Sequence, residues 1–354
     1  MKDKINGFDG LRVYAITMIL ACHNGLLANT SGGIGNKIFF SLSGFLVYYS
    51  LINMKGIKDV IYYYYKRILR IIPLFWTVII IVWRMLPGFF SFSDMHSPNS
   101  LILNMLFLNN YGHLWFMQHL MLMYLIAPVL ILMHNSIKVI LKKIGLSDKV
   151  TGIIIGAFFI GLGVLEKTFL TPDVFAMAGE GTHRQFQIWM FLIGFGSAIF
   201  GEVLKKVSFV KQHEGFFKIV TNIYVFLFII ILTISVIPSI HDAGKLIILR
   251  SEYLRTMLSC TIYVMFLVID DTFVARFLDN PIFLKLSELS FGIYIWHFFF
   301  LPYFRTGNLF HDFIVNYFVS VCFALFTYLV IEKWAVRLVK SSVSKYIEKK
   351  KCIR

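Results

Sequence analysis

A chain of 354 residues is long enough for two or three soluble domains, but its composition excludes them. Hydrophobic residues make up 58% and charged residues 15%, and the mean hydropathy is +0.74, which leaves too little polar surface to cover a soluble protein. The formal charge of +15, in so apolar a chain, points to cytoplasmic loops beside anionic lipid and away from nucleic acid.

A membrane-spanning helix needs roughly 20 mostly apolar residues. Ten such stretches are readable, at 9–28, 34–54, 71–90, 113–134, 151–168, 186–204, 218–238, 254–270, 289–304 and 312–332. The expected fold is therefore all-α and polytopic, with about ten transmembrane helices and both termini cytoplasmic. The segment 101–108 is too short to span and is expected to be re-entrant or interfacial. The first stretch carries polar residues and no small-residue cleavage site, so it reads as a span and not a removable signal. Under this topology 26 of the 34 Lys and Arg fall on the inner side and 8 on the outer, as the positive-inside rule requires. The inner count includes a 55–70 loop, and the outer count includes Lys37, Arg84 and Arg255. Residues 1–340 read as one membrane domain and 341–354 as a basic cytoplasmic tail. Cys22, Cys260, Cys322 and Cys352 are too scattered for a disulfide framework or a paired metal motif, and no metal is expected.

Ionisable groups inside a bilayer are costly unless they line a cavity or find partners, so each is a functional candidate. Arg12 and His23 are eleven residues apart on the first span, which places them on one helical face, about 16 Å apart along the axis. A snorkelling Arg12 and a merely packed His23 are the plainer alternative. In the second span, Ser43 and Gly44 lie among aromatics, where small residues admit a neighbouring helix or a ligand. Arg67 and Arg70, three residues apart, share a face at the cytoplasmic edge and suit a phosphorylated ligand. The fourth span opens with His113, Trp115, Gln118 and His119. In the ninth, Ser290, Tyr294 and His297 fall at i, i+4 and i+7. Glu332 closes the last span, and the outer loops hold Asp94, His96, Asp173, Glu180, His183, Arg184, His241, Asp242, His311 and Asp312 as candidate sugar contacts.

Taken in order, these pieces resemble the acyltransferase-3 family of integral-membrane acyltransferases. The carriers are Asp9-Gly10-Leu11-Arg12 with His23, Phe39-Phe40 with Ser43-Gly44-Phe45, Arg67 with Arg70, Ile71 and Pro73, Ser290 with Gly292, Tyr294 and His297, and Ile331-Glu332-Lys333. They run from residue 9 to residue 333. Many members carry a Trp followed by a pair of glutamates in mid-chain; here Trp115 is followed by Gln118, His119, Leu120 and Met121. The His113-Leu114-Trp115-Phe116 form is similar to the branch holding sugar O-acetylases and capsule or exopolysaccharide modifiers. No esterase-like domain is expected after the last span, which is the stand-alone form.

The resemblance implies transfer of an acyl group, most often acetyl, from cytoplasmic acyl-coenzyme A (acetyl-coenzyme A) to a hydroxyl of a cell-surface glycan or lipid-linked glycan such as O-antigen, capsule or exopolysaccharide. It implies a multi-pass protein of a bacterial inner membrane. His23 is then the general base or acyl carrier, with Arg12 farther along the same face near the docked donor and Asp9 orienting Arg12. Arg67, Arg70 and Ser43 bind the donor, and Tyr294, His297, Trp115, His119 and Glu332 support them. Ten spans with buried polar groups also suit a transporter or exporter of a glycan or acylated small molecule, although no paired inverted repeat is visible.

Overall fold

In the computed structural model, residues 5–85, 98–108, 112–170, 188–242, 251–334, 337–338 and 341 are described, and they form an all-α, polytopic membrane protein. Fourteen α-helices occur among them: α1 (Phe8–His23), α2 (Thr30–Leu51), α3 (Ile57–Met85), α4 (Pro98–Met105), α5 (Trp115–Lys143), α6 (Asp148–Leu165), α7 (Ile188–Leu204), α8 (Ser208–Gln212), α9 (Glu214–Ile234), α10 (Pro238–Asp242), α11 (Glu252–Val268), α12 (Phe273–Leu278), α13 (Pro281–Phe300) and α14 (Leu309–Thr327). A π-turn extends α6 over Glu166–Leu170, and another extends α14 over Tyr328–Glu332. The helix α5, α6 with its extension, α9, and α14 with its extension are each long and apolar enough to cross a membrane.

The ten long helices coincide with the ten apolar stretches, with instructive shifts in their bounds. The helix α3 begins at Ile57 and carries Pro73 in its interior, so most of the segment counted as a 55–70 loop is helix. Lys138, Lys142 and Lys143 likewise lie on α5. Eight residues before the expected ninth span, α13 starts at Pro281. Its start is fixed by Asn280, whose side chain accepts from the amides of Ile282 and Phe283, and by proline at the first helical position. The 101–108 segment contains most of α4, which is tied to α3. Trp76 Nε1 donates to the Met105 carbonyl at 2.9 Å, and Phe75 stacks on Phe107 at 4.5 Å between ring centroids.

Lys37 and Arg255, counted on the outer side, are buried within spans. They lie inside α2 and α11 and are 4% and 2% exposed. Glu252 holds Lys37 through one carboxylate oxygen at 2.8 Å and Lys167 through the other at 2.8 Å, while Arg255 donates to the Thr30 carbonyl at 3.4 Å. Taking such charges out of water requires partners of this kind. Arg84 and the tail beyond 341 lie outside the residues whose side chains are described.

Close helix approach depends on glycine. A Cβ on Gly44 of α2 would run into the Phe191 backbone of α7, and a Cβ on Gly194 of α7 would run into the Ser41 backbone of α2. Between α6 and α7, a Cβ on Gly196 would meet the Gly156 carbonyl at 2.7 Å. Such small-residue contacts hold helices together where lipid removes the hydrophobic drive for association. Gly161 on α6, by contrast, faces open space. Gly194→Ala is therefore expected to lower the melting temperature of the detergent-solubilised protein markedly. Gly161→Ala should hold or raise it, because alanine in a helix interior is worth about 0.5–1 kcal/mol over glycine. Thermal unfolding followed by fluorescence of the two purified variants checks the contrast.

Candidate functional site

Four helices, α1, α2, α3 and α13, and the first turns of α5 bring the polar residues together. On α1, Asp9 and Arg12 are one turn apart and form an ion pair at 2.8 Å between Oδ1 and Nη1. Ser287 of α13 donates to the same Asp9 oxygen at 2.7 Å. The carboxylate thus fixes the guanidinium and ties α1 to α13. Nearby, Gly10 packs so tightly on Leu278 that a Cβ would lie 2.5 Å from the leucine Cβ.

Arg12 lines an open cavity of about 820 Å³ together with Arg67 and Arg70 of α3, Ser43 of α2, and Ser290 and Tyr294 of α13. The three arginines come from two helices and enclose one space. Arg67 lies over the Tyr124 ring at 4.5 Å and near Tyr63 at 5.5 Å, a cation–π setting that holds it without neutralising it. Arg70 is exposed, and its charge acts against that of Arg12. Glu332, 8% exposed at the end of the last helix, faces Arg70, and its Oε1 has no hydrogen-bond partner among the described residues. Three guanidiniums around one cavity outnumber their two acidic neighbours, Asp9 and Glu332, which gives the cavity a positive character suited to anions.

Beyond this cavity stands a histidine pair. His23, the last residue of α1, is half-buried, and its Nδ1 lies 2.7 Å from Nε2 of the fully buried His297 of α13, the two rings within 2° of parallel. His297 Nδ1 lies 2.6 Å from the Tyr294 carbonyl oxygen. A carbonyl can only accept, so the network assigns the proton of His297 to Nδ1. In a neutral His297 the Nε2 lone pair then accepts from His23 Nδ1–H, and the free lone pair of His23 is on Nε2. That nitrogen is the available base or nucleophile.

Neither His23 nor His297 is among the residues lining the arginine cavity. The cavity reaches Phe39, Phe116 and Tyr294, and the Tyr294 ring lies 5.6 Å from that of His297. The shared face of Arg12 and His23 on α1 is therefore divided, with Arg12 in the cavity and His23 past its aromatic end.

Trp115 and His119 are likewise absent from the cavity lining. They pack against Phe40 at 6.1 and 6.5 Å, and His119 Nδ1 donates to the Trp115 carbonyl at 2.8 Å. The residue of this stretch that joins the histidine pair is His113, which the motif contains but to which the resemblance assigns no supporting role. Its ring lies 5.3 Å from that of His297, its Nε2 donates to the Ile295 carbonyl at 3.0 Å, and its own carbonyl accepts from the Tyr294 hydroxyl. His113 sits in the 3₁₀ turn Gly112–Leu114 before α5, so the register of α5 gives no clue to its direction.

Of the outer-loop candidates, Asp312 is 5% exposed and accepts from the Thr306 amide and hydroxyl, so it is part of the turn and not a sugar contact. His241 faces Asp242 at 3.3 Å, and His311 is exposed. Asp94, His96, Asp173, Glu180, His183 and Arg184 lie outside the described residues. Among the described residues, no group of three or more His, Cys, Asp or Glu side chains could hold a metal ion.

No curated protein and no solved structure matches the chain. A sequence model of one family, described as an acyltransferase domain, matches residues 5–332, a span that begins just before Asp9, ends on Glu332 and takes in every polar residue of the cavity and the histidine pair. The chain belongs to the acyltransferase-3 family and is a membrane acyltransferase.

Proposed function

We propose that this acyltransferase moves an acetyl or related acyl group from acyl-coenzyme A, bound at the cytoplasmic face of a bacterial inner membrane, to a hydroxyl of a surface glycan or its lipid-linked precursor. The observation that carries the donor half is the arginine cavity. Coenzyme A is a polyanion, and Arg12, Arg67 and Arg70 line one space whose acidic neighbours do not cancel them. The glycan half rests on the resemblance of the His113–Phe116 stretch to sugar O-acetylases.

In this reading the phosphates sit against Arg67 and Arg70, and the pantetheine arm runs past Ser43 toward Tyr294, where the cavity ends beside the histidine pair. His23 Nε2 takes the proton of the acceptor hydroxyl as its oxygen attacks the thioester carbonyl. The carbon–oxygen bond forms, the carbon–sulfur bond breaks, and the coenzyme A thiolate recovers the proton from the imidazolium. His297 holds His23 in the tautomer that leaves Nε2 free.

Three outcomes are expected with purified protein, labelled acetyl-coenzyme A and membrane glycan. His23→Ala should lose about 10²–10⁴-fold in transfer rate, the usual worth of a general base, while keeping normal expression and thermal stability. Near-normal transfer would remove His23 from the chemistry, and absence of transfer by the native protein with every glycan tried would favour an exporter.

His297→Phe should lower turnover about 10–100-fold, the usual worth of a residue that orients another, with little change in KM. His297→Gln, which can place an amide oxygen near the Nε2 position, should recover part of it. Equal loss in both variants would mean that packing, and not the accepted hydrogen bond, is what His297 provides.

Arg67→Ala and Arg70→Ala should each weaken donor binding by about 10–100-fold, since a hydrogen bond to a charged group is worth about 1.5–3 kcal/mol. The loss should disappear when the donor is acyl-pantetheine, which lacks the nucleotide phosphates. Titration calorimetry with both donors tests the pairing.

A further inference from the structure

A second cavity lies on the other side of α2, between the end of α2, the C-terminal half of α5, the start of α6 and the end of α7, with about 1460 Å³ of open space. It shares no lining residue with the arginine cavity. Lys138, Lys149 and Lys206, all exposed, come from three different elements to line it. Two acidic residues also line it. Asp148 is held by Lys142 at 2.7 Å, and Glu202 interacts with the Tyr48 and Tyr49 hydroxyls. Deeper in, Thr151 is 2% exposed, and its hydroxyl has no hydrogen-bond partner among the described residues. A helical threonine can bond the carbonyl four residues back; this one does not, and a buried hydroxyl left without an acceptor costs roughly 1–3 kcal/mol. Part of the wall is apolar, formed by Ile52, Ile155 and Ile199. Just outside, Ile140, Ile153 and Ile154 are exposed on α5 and α6, as they would be facing acyl chains.

We propose that this cavity binds the phosphate head of an anionic phospholipid from the leaflet at the lysine-rich end. A phosphate oxygen accepts from the Thr151 hydroxyl, Lys138, Lys149 and Lys206 balance the charge, and the chains leave along the isoleucine face of α5 and α6. Basic pockets between membrane helices on the cytoplasmic side take such headgroups. A soluble phosphate would have no use for the apolar wall or for a mouth bordered by spanning helices.

The test uses the full-length protein in nanodiscs of phosphatidylcholine with or without phosphatidylglycerol, and reads lipid retained on delipidation together with the thermal unfolding midpoint. Phosphatidylglycerol should be retained selectively and should raise the midpoint. The Lys138→Gln/Lys149→Gln/Lys206→Gln variant should retain roughly tenfold less or lower still, and Thr151→Val, which keeps the shape and removes the hydroxyl, should also retain less. Lys143→Gln/Lys205→Gln/Lys211→Gln, at the same end but outside the cavity, should behave as wild type. Equal retention by the cavity variants, or equal loss in the control variant, would overturn the proposal. So would full protection by inorganic phosphate alone, which would make the ligand a soluble anion. None of these readouts depends on acyl transfer, so they stand apart from the outcome for His23 and the arginines.

Discussion

Two polar links join α1 to α13 at different depths, and the site is built around them. Near the start of α1, Asp9 joins Arg12 to Ser287; at its end, His23 meets His297. Both helices run in the same direction, since Gly10 packs beside Leu278 just before α13 and His23 faces the last turns of α13. In an apolar bundle each of these groups would be expensive alone, and the pairing makes their burial tolerable. The same pairing fixes direction. A serine hydroxyl aims the carboxylate, the carboxylate aims the guanidinium, a backbone carbonyl decides which nitrogen of His297 carries its proton, and that decides which nitrogen of His23 is free. Loss of register between α1 and α13 would break both ends at once.

Between the two links the environment changes from cationic to aromatic. Arg12, Arg67 and Arg70 gather toward the basic end, whereas Phe39, Phe116 and Tyr294 close the cavity near the histidines. A polyanion attached to a slender, uncharged arm matches that order of surfaces, since the charge is met where water and exposed arginine are available and the arm meets rings. Tyr294 belongs to both regions. It lines the cavity, donates to the His113 carbonyl, and supplies the carbonyl that receives His297 Nδ1–H. It couples the end of the arginine cavity to the orientation of the histidine pair.

Residue patterns carried the fold a long way. Long apolar stretches marked the helices, and three-residue spacing placed Arg67 and Arg70 on the same side, where both line one cavity with Arg12. Helical periodicity failed where the site depends on contacts between elements. The Arg12–His23 face is continuous on α1, yet Phe116 from α5 and Tyr294 from α13 end the cavity before His23. His113 belongs to a turn without helical register, so the resemblance put Trp115 and His119, on the helix that follows, in the supporting role. Charge counting gave Lys37 and Arg255 a side of the membrane but no partner, because it has no term for a residue such as Glu252, supplied more than 200 residues along the chain from Lys37.

The burial of such charges follows from how polarity is distributed across the bundle. Windows of α6, α9 and α14 apolar enough for a membrane are only 28%, 22% and 22% buried within the protein, so these helices face outward and their sequences must satisfy lipid directly. By contrast, α1, α2, α7 and α13 are largely buried by their neighbours. Shielded on most sides, three of the four can carry Asp9, Arg12, His23, Lys37, Ser43, Ser290 and His297, residues that a lipid-facing helix could not hold. The glycines of α2 and α7 let the inner helices approach at backbone distance, which closes the shield. Acyl transfer places its demands on this inner layer, where polar groups are held by one another, and membrane residence places its demands on the outer one. A hydropathy scan reports the outer layer faithfully and understates the inner one for this physical reason: it scores each helix as if lipid surrounded it.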